Sequence, residues 1–386
     1  MCTKRLYGKH FSVFCFILLL PFVTSTSMAG AEESVALPKS MIWSGYDVGS
    51  TGYVQASAIA DGFLKKWKTQ IRIIPSGTSI GRITPLTARK AVCAFLSNEV
   101  YSSVEGIDDF ASYEWGPQDL RVILAHPNGN GCATTKESGI KTPKDLKGKR
   151  VIWIPGTPSV NVKNEAYLAF AGLTWNDVVK VEVPNYRESQ RALIDGRADA
   201  TAIAPNTPMM YELENSPRGL QWVHFDPEDK EGWKRLQKVA PYLYPKWVKI
   251  GAGIDPNHPQ PLLGFRYPMI TVYADADPGL VYNLVKAVHL SFPLYEKSFP
   301  VMPEWRIEDS GVPPADAPFH DAAVKYLKEQ GVWKQNYDEW NSKRISHIKK
   351  LQSAWEDTLQ TAQENKIKSK DFADFWLKER EKALGQ

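Results

Sequence analysis

Trp43-Ser-Gly-Tyr-Asp-Val-Gly-Ser-Thr-Gly-Tyr53 decides how this chain reads. Met41, Ile42 and Trp43 are an apolar lead-in that reads as the end of a strand. A Gly/Ser/Thr turn breaks the run. Beyond it Ala56, Ile59, Ala60, Phe63, Leu64 and Trp67 recur at helical spacing, and Ser50 or Thr51 is placed to cap that helix. The unit is therefore strand, small-residue loop, helix. Such a loop aims free backbone N–H groups at whatever lies above the helix start, where the helix dipole favours an anion. The design returns at Pro75-Ser-Gly-Thr-Ser-Ile-Gly81 and at Pro155-Gly-Thr-Pro-Ser-Val-Asn161. Three hydroxyl-rich helix starts predict a cleft for a small acid. For any one of them, an ordinary strand-to-helix turn of an α/β fold is the plainer alternative.

Working outward, residues 70–75 read as a strand, and a helix follows to about Arg89. Ala91–Leu96 is an apolar run that predicts a buried strand, ended by Ser97-Asn98-Glu99 on the same side as the other loops. In open α/β sheets that carboxyl end is where ligands sit. A strand at 121–125 closes the first series. A second series begins near 130, with strands at 151–154, 179–183 and 198–204 and the loop Pro205-Asn-Thr-Pro208. Residues 226–261 are rich in Pro, Trp and Tyr and poor in periodicity, and read as excursions and a return linker. Residues 269–273 read as a returning strand, with helices at 278–292 and 322–327. Trp340, Ile345, Ile348, Leu351, Trp355 and Leu359 then mark a long amphipathic helix, with a shorter one around Phe372, Phe375 and Trp376. Packing on the globular body is the plain expectation for this tail; a homodimer or partner surface is the sharper one. Two βα lobes joined by two crossings are what a hinged binding protein needs.

The start of the chain reads differently. Lys4, Arg5 and Lys9 precede an apolar stretch from Phe11 to Val23, and Ala29-Gly30-Ala31 resembles a cleavage site, so residues 1–31 read as a secretory signal peptide. The formal net charge of +4 includes the leader's three cations, so the remainder is near neutral and gives no indication of nucleic-acid binding. Cys93 and Cys132 remain in a compartment that permits disulfides, and spacing alone leaves a bridge or two buried thiols open. Metal-ligand spacings, the P-loop and the dinucleotide motif are missing from the sequence. Gly77-Thr-Ser-Ile-Gly81 matches the nucleophile elbow of serine hydrolases, with His258, His289 and His320 as nominal partners for Ser79. Against that reading, no oxyanion segment precedes the serine and the βα series restarts at 130.

Several stretches together resemble the substrate-binding proteins of TRAP transporters, in the TAXI branch. Ser138-Gly-Ile-Lys-Thr-Pro-Lys-Asp-Leu-Lys-Gly-Lys-Arg-Val151 looks like that family's "SGI…DLKGKRV", and Ala192-Leu-Ile-Asp-Gly-Arg-Ala-Asp-Ala200 like its "ALxxGxxDA". The likeness spans about 42–330. It implies a type II-like, two-lobed periplasmic-binding-protein fold, with this chain adding a C-terminal helical extension. It also implies a periplasmic location, no catalysis, no cofactor, and delivery of a small organic acid or amino acid, glutamate-like or a 2-oxo acid, to integral-membrane permease subunits. A sensor receptor of the same fold is the alternative. The lobes are expected at 32–126, 127–261 and 262–334, with the tail at 335–386. Carried over by position, Gly45 and Tyr53 fit the family's first loop with Asp47 standing at one of its glycines, Gly77, Thr78 and Ser79 match its second, and Ser159 and Asn161 stand at its third; the loops themselves nominate the full set, in which the first contributes Tyr46, Asp47, Ser50, Thr51 and Tyr53. The second contributes Ser76, Gly77, Thr78 and Ser79, with Asn98 beyond it. The second lobe contributes Thr157, Ser159, Asn161, Asn206 and Thr207. Of the arginines, Arg82 at the edge of the second loop and Arg187 are the candidates for an acid, although a solvated arginine is the plainer reading of each.

Overall fold

Ser40–Tyr46 forms β1, and Thr51–Trp67 forms α1 behind it, capped by Ser50 as the sequence predicts. The structure, a computed structural model, describes residues 34–385 together with residues 1–3, 6 and 8, so the expected leader lies almost wholly outside the described residues. β2 (Gln70–Ser76), α2 (Ser79–Thr87), β3 (Cys93–Leu96) and α3 (Glu99–Glu105) follow, then β4 (Leu120–Thr135). The second series is β5 (Arg150–Trp153), α4 (Pro158–Phe170), β6 (Val179–Glu182), α5 (Tyr186–Ile194), β7 (Ala200–Ile203), α6 (Pro208–Glu214) and β8 (Leu220–Trp222). After α7 (Lys230–Val239) and β9 (Tyr244–Val248), the long β10 (Gln260–Tyr273) returns. Helices α8 (Pro278–Tyr295), α9 (Ile307–Ser310), α10 (Asp321–Glu329), α11 (Gln335–Glu364) and α12 (Ser369–Leu384) complete the chain.

Strand pairing sorts these elements into two lobes, as expected. β1 lies parallel between β2 and β3, and β10 joins β3 antiparallel. In the second lobe β5 pairs β6 and β7 in parallel, and β7 joins β4. Each lobe has its own core. Trp43, Phe63, Phe95 and Ile270 lie in the first, and Ile152, Leu193, Ile203 and Trp222 in the second. β4 and β10 belong to both and pair with each other over Leu120–Asn130 and Leu263–Tyr273.

The sequence reading needs correction at the crossings. β4 runs on past the expected 121–125 to Thr135, and β10 starts at Gln260 rather than Met269. The added part of β4 carries Pro127, Asn128, Gly129 and Asn130, which break apolar alternation; its pairing with β10 crosses a register shift, and the Asn128 amide makes up the difference by donating to Tyr267 O and accepting from Gly129 N. Within 226–261, α7 buries only Gly232, Trp233 and Leu236 on a charged helix, and β9 pairs with β10, so this stretch is ordered rather than a plain linker. Leu64, expected on the apolar face of α1, is exposed. Cys93 and Cys132 are free buried thiols, one in each core, and burial raises the pKa of both.

The tail packs on the first lobe. Leu351, Ala362, Phe372 and Trp376 form a small core with Ala111, and Ile348 enters the main one. Trp376 donates from Nε1 to Gly106 O at 2.5 Å. Glu105, almost fully buried, holds both tail helices through Arg344 at 3.2 Å, His347 at 2.9 Å and Arg380 at 2.5 Å. Burial acts to raise the Glu105 carboxyl, but the His347 hydrogen bond and the arginine charges outweigh it and bring the pKa to about 2. Removing the Trp376 ring deletes a fully buried side chain, so Trp376→Ala is expected to cost about 3–5 kcal/mol in urea unfolding. A loss below about 1 kcal/mol would mean that the tail is not integral to the first lobe.

Candidate functional site

The loops after β1 and β2 face the starts of α4 and α5 across the two lobes. Backbone bonds join them directly. Ile80 N donates to Gly156 O at 3.2 Å, and Tyr186 N donates to Gly77 O at 3.0 Å. Gly77 is required by this approach, because a Cβ there would stand 2.7 Å from Asn185 Cβ. Side chains repeat the pairing: Thr51 Oγ1 donates to Thr207 Oγ1 at 3.0 Å, and the Ser79 and Ser159 hydroxyls lie 2.9 Å apart.

Two buried cations stand over this seam. Arg82 is fully buried, contrary to the solvated reading. It donates from Nε to Glu99 Oε1 at 2.8 Å, and from Nη2 to Ser79 Oγ at 3.0 Å and Ser159 Oγ at 3.3 Å. Its guanidinium stacks on the Tyr46 ring, 3.9 Å from the centroid. Burial works against its charge, but Glu99 and Tyr46 more than offset this, and its pKa is raised. Lys163 comes from the second lobe. It donates from Nζ to Ser159 O at 2.6 Å and to Ser97 Oγ at 3.4 Å. Burial lowers its pKa to about 7 against the pull of Glu99 and Asp316. Tyr46, Ser97, Ser159, Lys163, Tyr186 and Tyr267 surround a cavity of about 20 Å³, room for about one water. Glu99 Oε2 is buried with no hydrogen-bond partner.

The expected site residues divide into three groups. Tyr46, Ser79 and Ser159 converge on the cations, and Thr51 and Thr207 meet across the lobes. Asn98 donates to Asp316 Oδ2 at 2.7 Å beside them, while buried Thr157 Oγ1, Asn206 Oδ1 and Asp47 Oδ1 have no partner. The rest are committed to their own lobe. Ser50 Oγ accepts from Tyr53 N and donates to Asp47 O, so it is a helix cap. Thr78 Oγ1 caps α2 through Gly81 N. Ser76 has its hydroxyl turned to Thr78, and its carbonyl accepts from Arg82. Asn161 spends both ends of its amide on Ile154, at 2.8 and 2.7 Å, and cannot clamp a ligand. Tyr53 is the exception: from α1 of the first lobe its side chain packs across on the second core. Arg187 is exposed, as the plainer reading had it.

Lys163 and Glu99 are residues of this seam that the sequence reading did not place in the candidate site. A signal existed. Arg82 follows Ser79 by three residues and Lys163 follows Ser159 by four, so each helix presents a serine and, one turn on, a cation on one face. The Ser79 hydrolase reading is not supported by the geometry. The Ser79 hydroxyl has a serine and a guanidinium as partners, neither of which can take its proton. His258 bonds Asp255, His289 bonds Tyr326 and His320 caps α10. Among the described residues no cluster of three metal-ligating side chains occurs, and no helix is long and apolar enough to cross a membrane.

Residues 47–331, most of the chain and both sides of this seam, match one protein family. The chain belongs to the NMT1-like family. No curated protein matches it. Solved structures similar to this NMT1-like chain include a protein from Bordetella bronchiseptica RB50, at 17% identity over 78% of this chain and 91% of that one, TM-score 0.47. An ancestral arginine-binding protein bound to arginine is 16% identical over 70% and 99% of the chains, TM-score 0.43. The alkanesulfonate-binding protein SsuA from Xanthomonas axonopodis pv. citri bound to MOPS is 14% identical over 81% and 98%, TM-score 0.43.

Proposed function

We propose that this NMT1-like protein is an extracytoplasmic solute receptor that binds a small organic anion or amino acid between its lobes. The observation that carries the reading is the placement of Arg82 and Lys163, one from each lobe, buried at one seam with hydroxyls around them. Two cations face Glu99, and the second nearby acid, Asp316, is pushed up to about 7 by burial and is only partly ionised near neutral pH, which leaves an excess of positive charge for a ligand carboxylate. The unpartnered Glu99 Oε2 then takes a donor of the ligand, as the ammonium of a glutamate-like acid would supply; a 2-oxo acid would use the hydroxyls instead. The residues argued to bind are Arg82, Lys163, Glu99, Ser79, Ser159, Tyr46 and Ser97.

A cavity of about 20 Å³ admits no organic acid until the lobes part, and β4 and β10 are the connections about which they would part. Closure on the acid then forms a surface that spans both lobes. The finer reading is that this surface meets the membrane subunits of a TRAP-type secondary transporter in the periplasm; the TAXI-like phrases at 138–151 and 192–200 support it.

The test is a thermal-shift screen against amino acids, dicarboxylates and 2-oxo acids. One acid at 100 times its dissociation constant is expected to add about 2.7 kcal/mol, a shift of a few degrees. A flat screen contradicts the reading. Ser159→Ala is expected to weaken that acid by about 1–3 kcal/mol in a calorimetric titration made well below the melting temperature of the free variant. Unchanged affinity would remove Ser159 from the site.

A further inference from the structure

A separate cavity of about 660 Å³ opens beside the crossing strands, and it shares no lining residue with the cavity at the seam. Its walls come from three places. The first lobe supplies Tyr101 and the turn at Ala315 and Asp316, the second lobe Tyr242 and Tyr244, and the tail Trp340 and Arg344. The Tyr101 and Tyr242 rings touch across the lobes at 5.3 Å. The volume suits a drug-sized molecule, and ring-lined walls suit a flat apolar one.

Its charge is not balanced. Arg266 donates to four carbonyls, of Pro314, Ala125, Asp309 and Val312; among the described residues no carboxylate is hydrogen-bonded to it, and Asp316 and Asp309 act on it only through space. Arg344 shares the single carboxylate of Glu105 with Arg380. The acid in the wall, Asp316, is pushed up to about 7 by burial, against the Asn98 hydrogen bond and Lys163, so near neutral pH it carries only part of a negative charge against the two arginines. The Tyr242 hydroxyl is buried without a partner, a group that a native structure normally satisfies.

We infer that this cavity is a second binding site, for an aromatic ring system carrying one acidic group. The rings hold the flat body and the excess positive charge of Arg266 and Arg344 holds the acid. The site is chemically distinct from the seam and shares no lining residue with it, although Asp316 in its wall also acts on Lys163.

The probe is 8-anilinonaphthalene-1-sulfonate, titrated into the purified protein and followed by its fluorescence. Saturation at one probe per chain is expected. Ala315→Phe fills the cavity and should weaken binding about tenfold or more. Gln237→Trp, at an exposed helix position on the same wall, should do the same without entering a core. The neutral N-phenyl-1-naphthylamine should also bind about tenfold more weakly or worse. Melting curves identify any variant that fails to fold, and the other then decides. No saturable binding, binding unchanged in the folded variants, or equal binding of the neutral probe overturns the proposal.

Discussion

Arg82→Met is expected to cost about 3–5 kcal/mol of stability and to abolish acid binding. The first effect follows from burial. Arg82 and Glu99 are both fully buried and 2.8 Å apart, so removing the guanidinium strands a carboxylate away from water. The second follows from position, since the same guanidinium reaches Ser79 and Ser159 at the seam. The two effects can be separated. Replacing a buried ion pair by apolar groups of similar volume is often close to neutral. Adding Glu99→Met to Arg82→Met should therefore recover most of the stability in urea unfolding and none of the binding in calorimetry. A double variant that regains stability and still binds the acid would show Arg82 to be structural only.

The second large effect is on pH. Lys163 in the free protein has a pKa near 7, set by burial, with Glu99 and Asp316 pulling it up and Arg82 pushing it down. An anion bound beside it favours the charged form, so the complex keeps a proton that the free protein loses. By linkage, affinity then falls as pH rises above about 7, approaching about tenfold per pH unit. Asp316 titrates in the same range and acts with the same sign, because its ionisation places a negative charge near the site. Calorimetric titrations from about pH 6 to about pH 9 are expected to show this fall. Asp316→Asn should retain most of it, while Lys163→Met should bind weakly throughout and retain only the share due to Asp316. Affinity that is flat or rising over this range would exclude a charged Lys163 from the complex.

Local order in the sequence sufficed for the fold wherever one element explains itself. The strand, loop and capped helix at 40–67 is legible because β1 and α1 bury their own periodic faces. The crossings were not legible past Ala125, because Asn128–Asn130 of β4 are held by a strand more than a hundred residues away. The site was half legible for the same reason. Ser79 and Ser159 were found from their loops, but whether Arg82 is solvated or buried is decided by the opposite lobe. Asn161 misled in the other direction. Its loop position suggested a ligand, and its amide is turned back onto Ile154 within the same lobe.

The most direct measurement is a crystal structure of the protein with the acid that shifts its melting most. That acid is expected between the lobes, its carboxylate within about 3 Å of the Arg82 guanidinium or the Lys163 ammonium. The same acid bound elsewhere, with Arg82 and Lys163 still facing only Ser79, Ser97 and Ser159, would contradict it.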